Sequence, residues 1–186
     1  MKSNKIKIKL IIVLLLLITI AGGGLSLAYL MSGSKLVNTF EVGNVKTEIV
    51  ENFDGSTKTD VKIKNIGNLP AYIRCKIAIY YEYQDGEKTL ISNKVPKINK
   101  DYKLSLNLGN DWFEVDGIYY YKYPLDANLE TSNLINRAEN ISSSDNDKLV
   151  VDIYTQAIQI EPSKAVEEAW KDINVNSKLE LERVVK

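Results

Sequence analysis

The sequence predicts a mainly β protein: a two-layer antiparallel β-sandwich, jelly-roll-like, with one short α-helix near the C-terminus and a signal helix in front. Three observations carry this. Apolar and polar residues alternate over several segments, and a period of two buries one face of a strand while wetting the other. Clusters of Gly, Asn and Pro separate those segments. A helical spacing of apolar residues occurs once, after Pro162. Several strands with one small helix suit two packed sheets rather than alternating βα units.

At the N-terminus, Met1–Lys9 is basic, Leu10–Ile20 is an apolar run, and Ala21–Ala28 breaks the helix and ends in small residues. That tripartite pattern is a secretory signal. Ser26 and Ala28 occupy the −3 and −1 positions of a signal-peptidase site, so cleavage leaves Tyr29 as the new N-terminus. The alternative is an uncleaved anchor, since Leu10–Met31 is long enough to span a bilayer. Gly22–Gly24 argue against a continuous helix there, each Gly costing about 1 kcal/mol relative to Ala. Residues 1–28 are therefore read as the signal peptide, 29–42 as an N-terminal arm and 43–186 as the sandwich domain.

Within residues 36–50 the alternating parity switches at Gly43-Asn44. Asn52–Thr59 reads as a loop. Val61 and Ile63 then share a face, and Asn65–Pro70 is a turn. Ala71–Tyr80 is the clearest strand, with Ala71, Ile73, Cys75, Ile77 and Ile79 on a buried face and Tyr72, Arg74, Lys76 and Tyr80 on a wet one. Cys75 is then a small buried hydrophobe rather than a reactive thiol. Residues 84–110 are polar, with a turn signal at Asp85-Gly86 and a short alternating run at Leu104, Leu106 and Leu108. Trp112–Val115 and Ile118–Tyr123 form a hairpin about Asp116-Gly117. Residues 126–147 read as loop apart from Leu134-Ile135. Lys148–Ile160 is a strand, and Val166, Ala169, Trp170 and Ile173 make one helical stripe. Leu179–Val185 is a final short strand.

Composition narrows the chemistry. A hydrophobic content of 45% and a charged content of 26% suit a folded domain and exclude a disordered or collagenous chain. Lys2, Lys5, Lys7 and Lys9 are the only charged residues before position 29. Taking these four from the 24 basic residues leaves 20 against 24 acids, a net charge of −4 beyond the leader. An acidic domain is a poor partner for nucleic acid, whose affinity for proteins comes largely from Lys and Arg at phosphates. One cysteine excludes an intrachain disulfide. With no histidine, neither a His-based triad nor a His-ligated zinc site can form. No enzyme activity, metal or cofactor is expected.

Several segments are familiar in combination. GGGLSLAYL (Gly22–Leu30), NTFEVGNV (Asn38–Val45), VKIKNIGNLPAYIRCKI (Val61–Ile77), DWFEVDGIYYYKYPLDANLETSNLI (Asp111–Ile135) and DIYTQAIQ with EEAW (Asp152–Trp170) keep their order along nearly the whole chain. The chain resembles the TasA/camelysin-like group of exported proteins with SipW-dependent signal peptides, which includes BsaA-type pilin-like subunits. Asn128-Leu129 and Ile66 depart from the usual residues of that group. The resemblance implies a jelly-roll domain, cleavage by a dedicated signal peptidase, and export by a single-membrane bacterium into biofilm matrix or onto the cell surface. For some members it implies fibres in which an N-terminal segment completes the next subunit's sheet.

Physical chemistry gives that arm a use. Tyr29, Leu30, Met31, Leu36 and Val37 are apolar, and a freed extended arm gains by pairing with an exposed sheet edge. Such an arm either pairs with another subunit or lies along its own domain. The membrane enters only through an uncleaved leader, and the expected partners are the signal peptidase and further copies of the chain. The alternative is a monomeric cell-surface binding module or fibre-tip adhesin. Trp112, Tyr119 and Tyr121 are candidate surface aromatics for a sugar platform, against the plainer reading of hairpin residues facing the core. Lys–Asn isopeptide crosslinks remain open, because the sequence selects no pair.

Overall fold

A computed structural model gives the fold and describes residues 43–142 and 147–184. The expected leader and the arm lie outside the described residues. In chain order the strands are β1 (Thr47–Phe53), β2 (Thr57–Asn65), β3 (Ala71–Asp85), β4 (Lys88–Ile91), β5 (Tyr102–Leu106), β6 (Trp112–Val115), β7 (Ile118–Tyr121), β8 (Ile135–Asn140) and β9 (Lys148–Gln159). The helix α1 (Lys164–Ala169), then β10 (Ile173–Val175) and β11 (Leu181–Arg183), close the described chain. The described residues are mainly β, antiparallel throughout their ladders, with one short helix near the C-terminus, as the sequence predicts.

One sheet runs β1-β2-β8-β5. The other is organised on β3, which pairs with β9 along one side and with β4 and β7 on the other, β6 lying beyond β7. The chain crosses repeatedly between the two sheets, as a jelly-roll-like chain does. Val61 and Ile63 of β2 and Ile135 and Ala138 of β8 face Ile73 and Cys75 of β3, Trp112 of β6 and Ile153 of β9 across the sandwich. Each large apolar side chain so buried contributes about 1.5–3 kcal/mol relative to exposure.

A second core lies on the outer face of the β3 sheet, and it corrects the expected wet face. Tyr72 is fully buried, packed with Val115 and Tyr120 beneath Val166, Trp170, Ile173 and Leu181. Its hydroxyl donates to the Leu179 carbonyl at 3.1 Å. Periodicity places Tyr72 on the outer face correctly, but the C-terminal segment covers that face. Arg74 marks the boundary, its guanidinium 4.8 Å from the Trp170 ring centre while Nε donates to Gln156 at 2.7 Å. Of the expected helical stripe, Val166 and Trp170 are buried, but Ala169 is exposed because α1 stops after six residues and Ile173 passes into β10.

Three stretches read as irregular are strand. The Asn52–Thr59 loop shrinks to residues 54–56, where Asp54 Oδ1 accepts the N–H groups of Ser56 (2.9 Å) and Thr57 (2.7 Å). Those two donors hold the Asp54 carboxyl below the usual range. Past Tyr80, β3 continues to Asp85 and turns back into β4, whose residues are all exposed. Residues 126–147 contain β8, an interior strand of its sheet. A register shift between Ser105 and Leu106 opposite Arg137 and Ile135 breaks the alternation there. The Asp116-Gly117 hairpin is as expected, both residues having positive φ (52° and 78°), the twist a two-residue turn needs.

The Asn65–Pro70 turn is anchored by Asn65, which is fully buried. Its Nδ2 donates to the carbonyls of Leu69 (2.8 Å) and Leu125 (2.9 Å), and its Oδ1 accepts the Gly67 N–H (3.0 Å). Gly67 is required by a close approach: a Cβ there would sit 2.2 Å from the Asn44 carbonyl oxygen.

Candidate functional site

The signal-peptidase residues Ser26, Ala28 and Tyr29, and the arm residues Leu30, Met31, Leu36 and Val37, lie outside the described residues. The domain itself shows what an extended segment would meet. Strand β9 pairs with β3 over twelve consecutive positions, from Lys148↔Glu82 to Gln159↔Ala71. Among the described residues its other side carries no ladder, and β1 likewise pairs only with β2. A long strand with one open side presents a row of unpaired N–H and C=O groups, a template for another strand.

These two edges meet at one end and part at the other. Thr47 Oγ1 and Thr155 Oγ1 are 2.6 Å apart, tying β1 to β9. Toward the β1–β2 turn a cleft of about 240 Å³ opens, lined by Phe53, Lys58, Ala138 and Asn140 on one wall and residues 148–152 on the other. Inside it Lys58 Nζ lies 2.8 Å from Glu51 Oε1 and 5.6 Å from the Phe53 ring centre. Glu51 Oε2 is buried without a hydrogen-bond partner among the described residues. Leaving such an acceptor unmatched costs about 1–3 kcal/mol. On the β9 wall, Asp152 Oδ2 accepts the Tyr80 hydroxyl, which raises that phenol well above its usual range, burial adding to the effect.

The aromatic platform is corrected by hairpin register. Trp112 pairs with Tyr121 and Glu114 with Tyr119, so Trp112, Tyr119 and Tyr121 share the inward face. Trp112 is 3% exposed and its Nε1 donates to the Ser132 carbonyl at 3.2 Å. Tyr119 and Tyr121 are half-buried against the same core, and burial pushes both phenols up. Phe113 and Tyr120 face the other way, stacked with ring centres 5.3 Å apart beneath the C-terminal segment. Trp112 is therefore core rather than surface, and Tyr119 and Tyr121 pack half-buried against the same core.

Cys75 is buried at 1% exposure, and burial pushes its thiol up to about 12. Among the described residues no three metal-ligating side chains come together, and no helix is long and apolar enough to cross a membrane. No family model, curated protein or solved structure matches the chain.

Proposed function

We propose that this chain is an exported, non-enzymatic structural subunit of an extracellular matrix or pilus-like fibre, assembling by strand pairing of its N-terminal arm after signal cleavage. On this reading it belongs with the TasA/camelysin-like exported proteins that its motifs resemble. The observation that carries the proposal is the open side of β9 beside the inter-sheet cleft. Residues 29–42 supply Tyr29, Leu30, Met31, Leu36, Val37, Phe40 and Val42, apolar side chains suited to such a cleft, on a backbone that offers the missing hydrogen bonds. While the leader holds the chain in a membrane, the arm is tied at its front end, so cleavage after Ala28 licenses assembly.

The test is deletion of residues 29–37 in the exported protein, with fibre formation followed by electron microscopy and size measurement, and the N-terminus sequenced. Wild-type material should begin at Tyr29 and assemble, and the deletion should remain monomeric. Fibres unchanged by the deletion would defeat the proposal. A wild-type protein that stays monomeric with its leader removed would instead fit a cell-surface binding module or fibre-tip adhesin.

A further inference from the structure

We propose that the loop after β4 is a docking surface for an anionic lipid bilayer. Its sequence, ISNKVPKINK (Ile91–Lys100), interleaves apolar residues with lysines. Ile91, Val95 and Ile98 are 68%, 80% and 55% exposed, high values for large apolar side chains standing close together. A loop that only needed to join β4 to β5 would lose water-exposed apolar surface by carrying polar residues there.

The loop is held in place, so its exposure is built in. Ser92 N–H donates to the Tyr81 carbonyl at 2.8 Å, Asp101 N–H to the Lys97 carbonyl at 2.8 Å, and Asn99 N–H to the Tyr102 carbonyl at 2.7 Å. Asp101 Oδ2 accepts the Lys97 N–H, the Asp101 carbonyl accepts the Ile141 N–H, and Lys94 is ion-paired with Asp147. Val95 and Ile98 are thus presented to solvent on a fastened loop.

Charge and exposure select the occupant. From Lys94 to Lys103 the chain carries four lysines and one acid, Asp101, in a domain whose charge beyond the leader is negative; Asp147 pairs with Lys94, and Lys97, Lys100 and Lys103 exceed Asp101. The acids Glu82, Asp85 and Glu87 lie on the adjoining hairpin and not within the loop. Exposed apolar side chains interleaved with lysines suit an anionic bilayer interface, which takes in apolar groups at any point and adds attraction for cations. Lysines flanking them keep their ammonium groups among anionic headgroups while the methylene stems follow the apolar surface.

Among the described residues both cores and every strand pair are complete without the leader, so residues 43–186 are used for the test. Co-sedimentation is measured with vesicles of equimolar phosphatidylcholine and phosphatidylglycerol and with phosphatidylcholine alone. The protein should pellet with the anionic vesicles and far less with the neutral ones, the difference shrinking at high salt. The pair Lys97→Gln and Lys100→Gln should lower the partition coefficient about 25-fold, from about 1 kcal/mol per lysine. The pair Val95→Ser and Ile98→Ser should lower it about tenfold or more. Urea midpoints should match wild type, since all four side chains are exposed. Absence of pelleting, or equal pelleting of wild type and both variants, would overturn the proposal. So would a lipid-independent oligomer that the serine variants dissolve, which would make this face a contact between copies.

Discussion

Replacing Asn65 with Ala should destabilise the domain by about 3–5 kcal/mol, the sum of what its partners lose and the void it leaves. The Gly67 N–H, on a buried residue, is left without an acceptor, which costs about 1–3 kcal/mol. Leu69's half-buried carbonyl loses its donor, for about 1 kcal/mol more. Leu125 loses little, because its carbonyl still accepts the Ala71 N–H at 3.0 Å. Deleting the amide also leaves a small void, adding about 1 kcal/mol. Against a total stability of about 5–15 kcal/mol the change is large. Urea unfolding followed by far-ultraviolet circular dichroism should show the midpoint falling by about 2 M for a slope of about 1.5–2 kcal/mol/M. Asn65→Asp separates hydrogen bonding from volume. The new carboxylate keeps an acceptor for Gly67 but faces the carbonyls of Leu69 and Leu125, so its folded pKa rises above the unfolded value of about 3.9. Its stability is therefore highest below that value and falls as pH rises through the folded one. A midpoint shift under about 0.5 M for Asn65→Ala, or an Asn65→Asp profile parallel to wild type, would refute the reasoning.

Gly67→Ala should cost about 1–3 kcal/mol in the same assay, because the added Cβ meets the Asn44 carbonyl and segment 44–46 must shift. A midpoint equal to wild type would show that this segment yields freely. Native Cys75 should resist thiol reagents at pH 8 and react promptly in urea; fast native labelling would contradict its burial. With a folded pKa of about 12 against an unfolded value near 8.5, its contribution is complete below the unfolded value and declines as pH rises above it. Cys75→Val should accordingly flatten part of the fall in stability above about pH 8.5. Asp54→Ala should lower the urea midpoint at neutral pH, and the gap should close as pH falls through the depressed pKa of Asp54, since its stabilisation exists only while it is ionised. A gap that persists in acid would show that the turn does not depend on that charge.

Much of the fold was legible because β2, β3, β6, β7 and β9 keep strict alternation or carry a clear turn signal. What escaped did so for local reasons. In β8 a bulge puts Ile135 and Ala138, three residues apart, on the same side, and a period-of-two reading cannot register that. Strand β4 buries nothing, so its residues look like loop. Tyr72 and Tyr120 were hidden by a tertiary event, the return of the C-terminal segment across the outer face. Asn65 reads as turn chemistry, and its burial depends on Leu125, 60 residues away. The open side of β9 could not be foreseen from sequence, because an edge is defined by which strands fail to pair. Trp112, Tyr119 and Tyr121 did carry a usable signal, since the Asp116-Gly117 turn fixes the register that points all three inward.

The ladder joining β3 to β9 couples the second third of the chain to its final third, and the outer core waits for Leu181. Closing loops of that span is slow, because the chain loses entropy before contacts return it. Until residues 148–181 emerge, β3 lacks its longest strand partner, and Tyr72 and Tyr120 lack the cover of Val166, Trp170, Ile173 and Leu181. A truncation that removes only α1, β10 and β11 thus strips the cover from Tyr72 and Tyr120 at the middle of the β3 sheet.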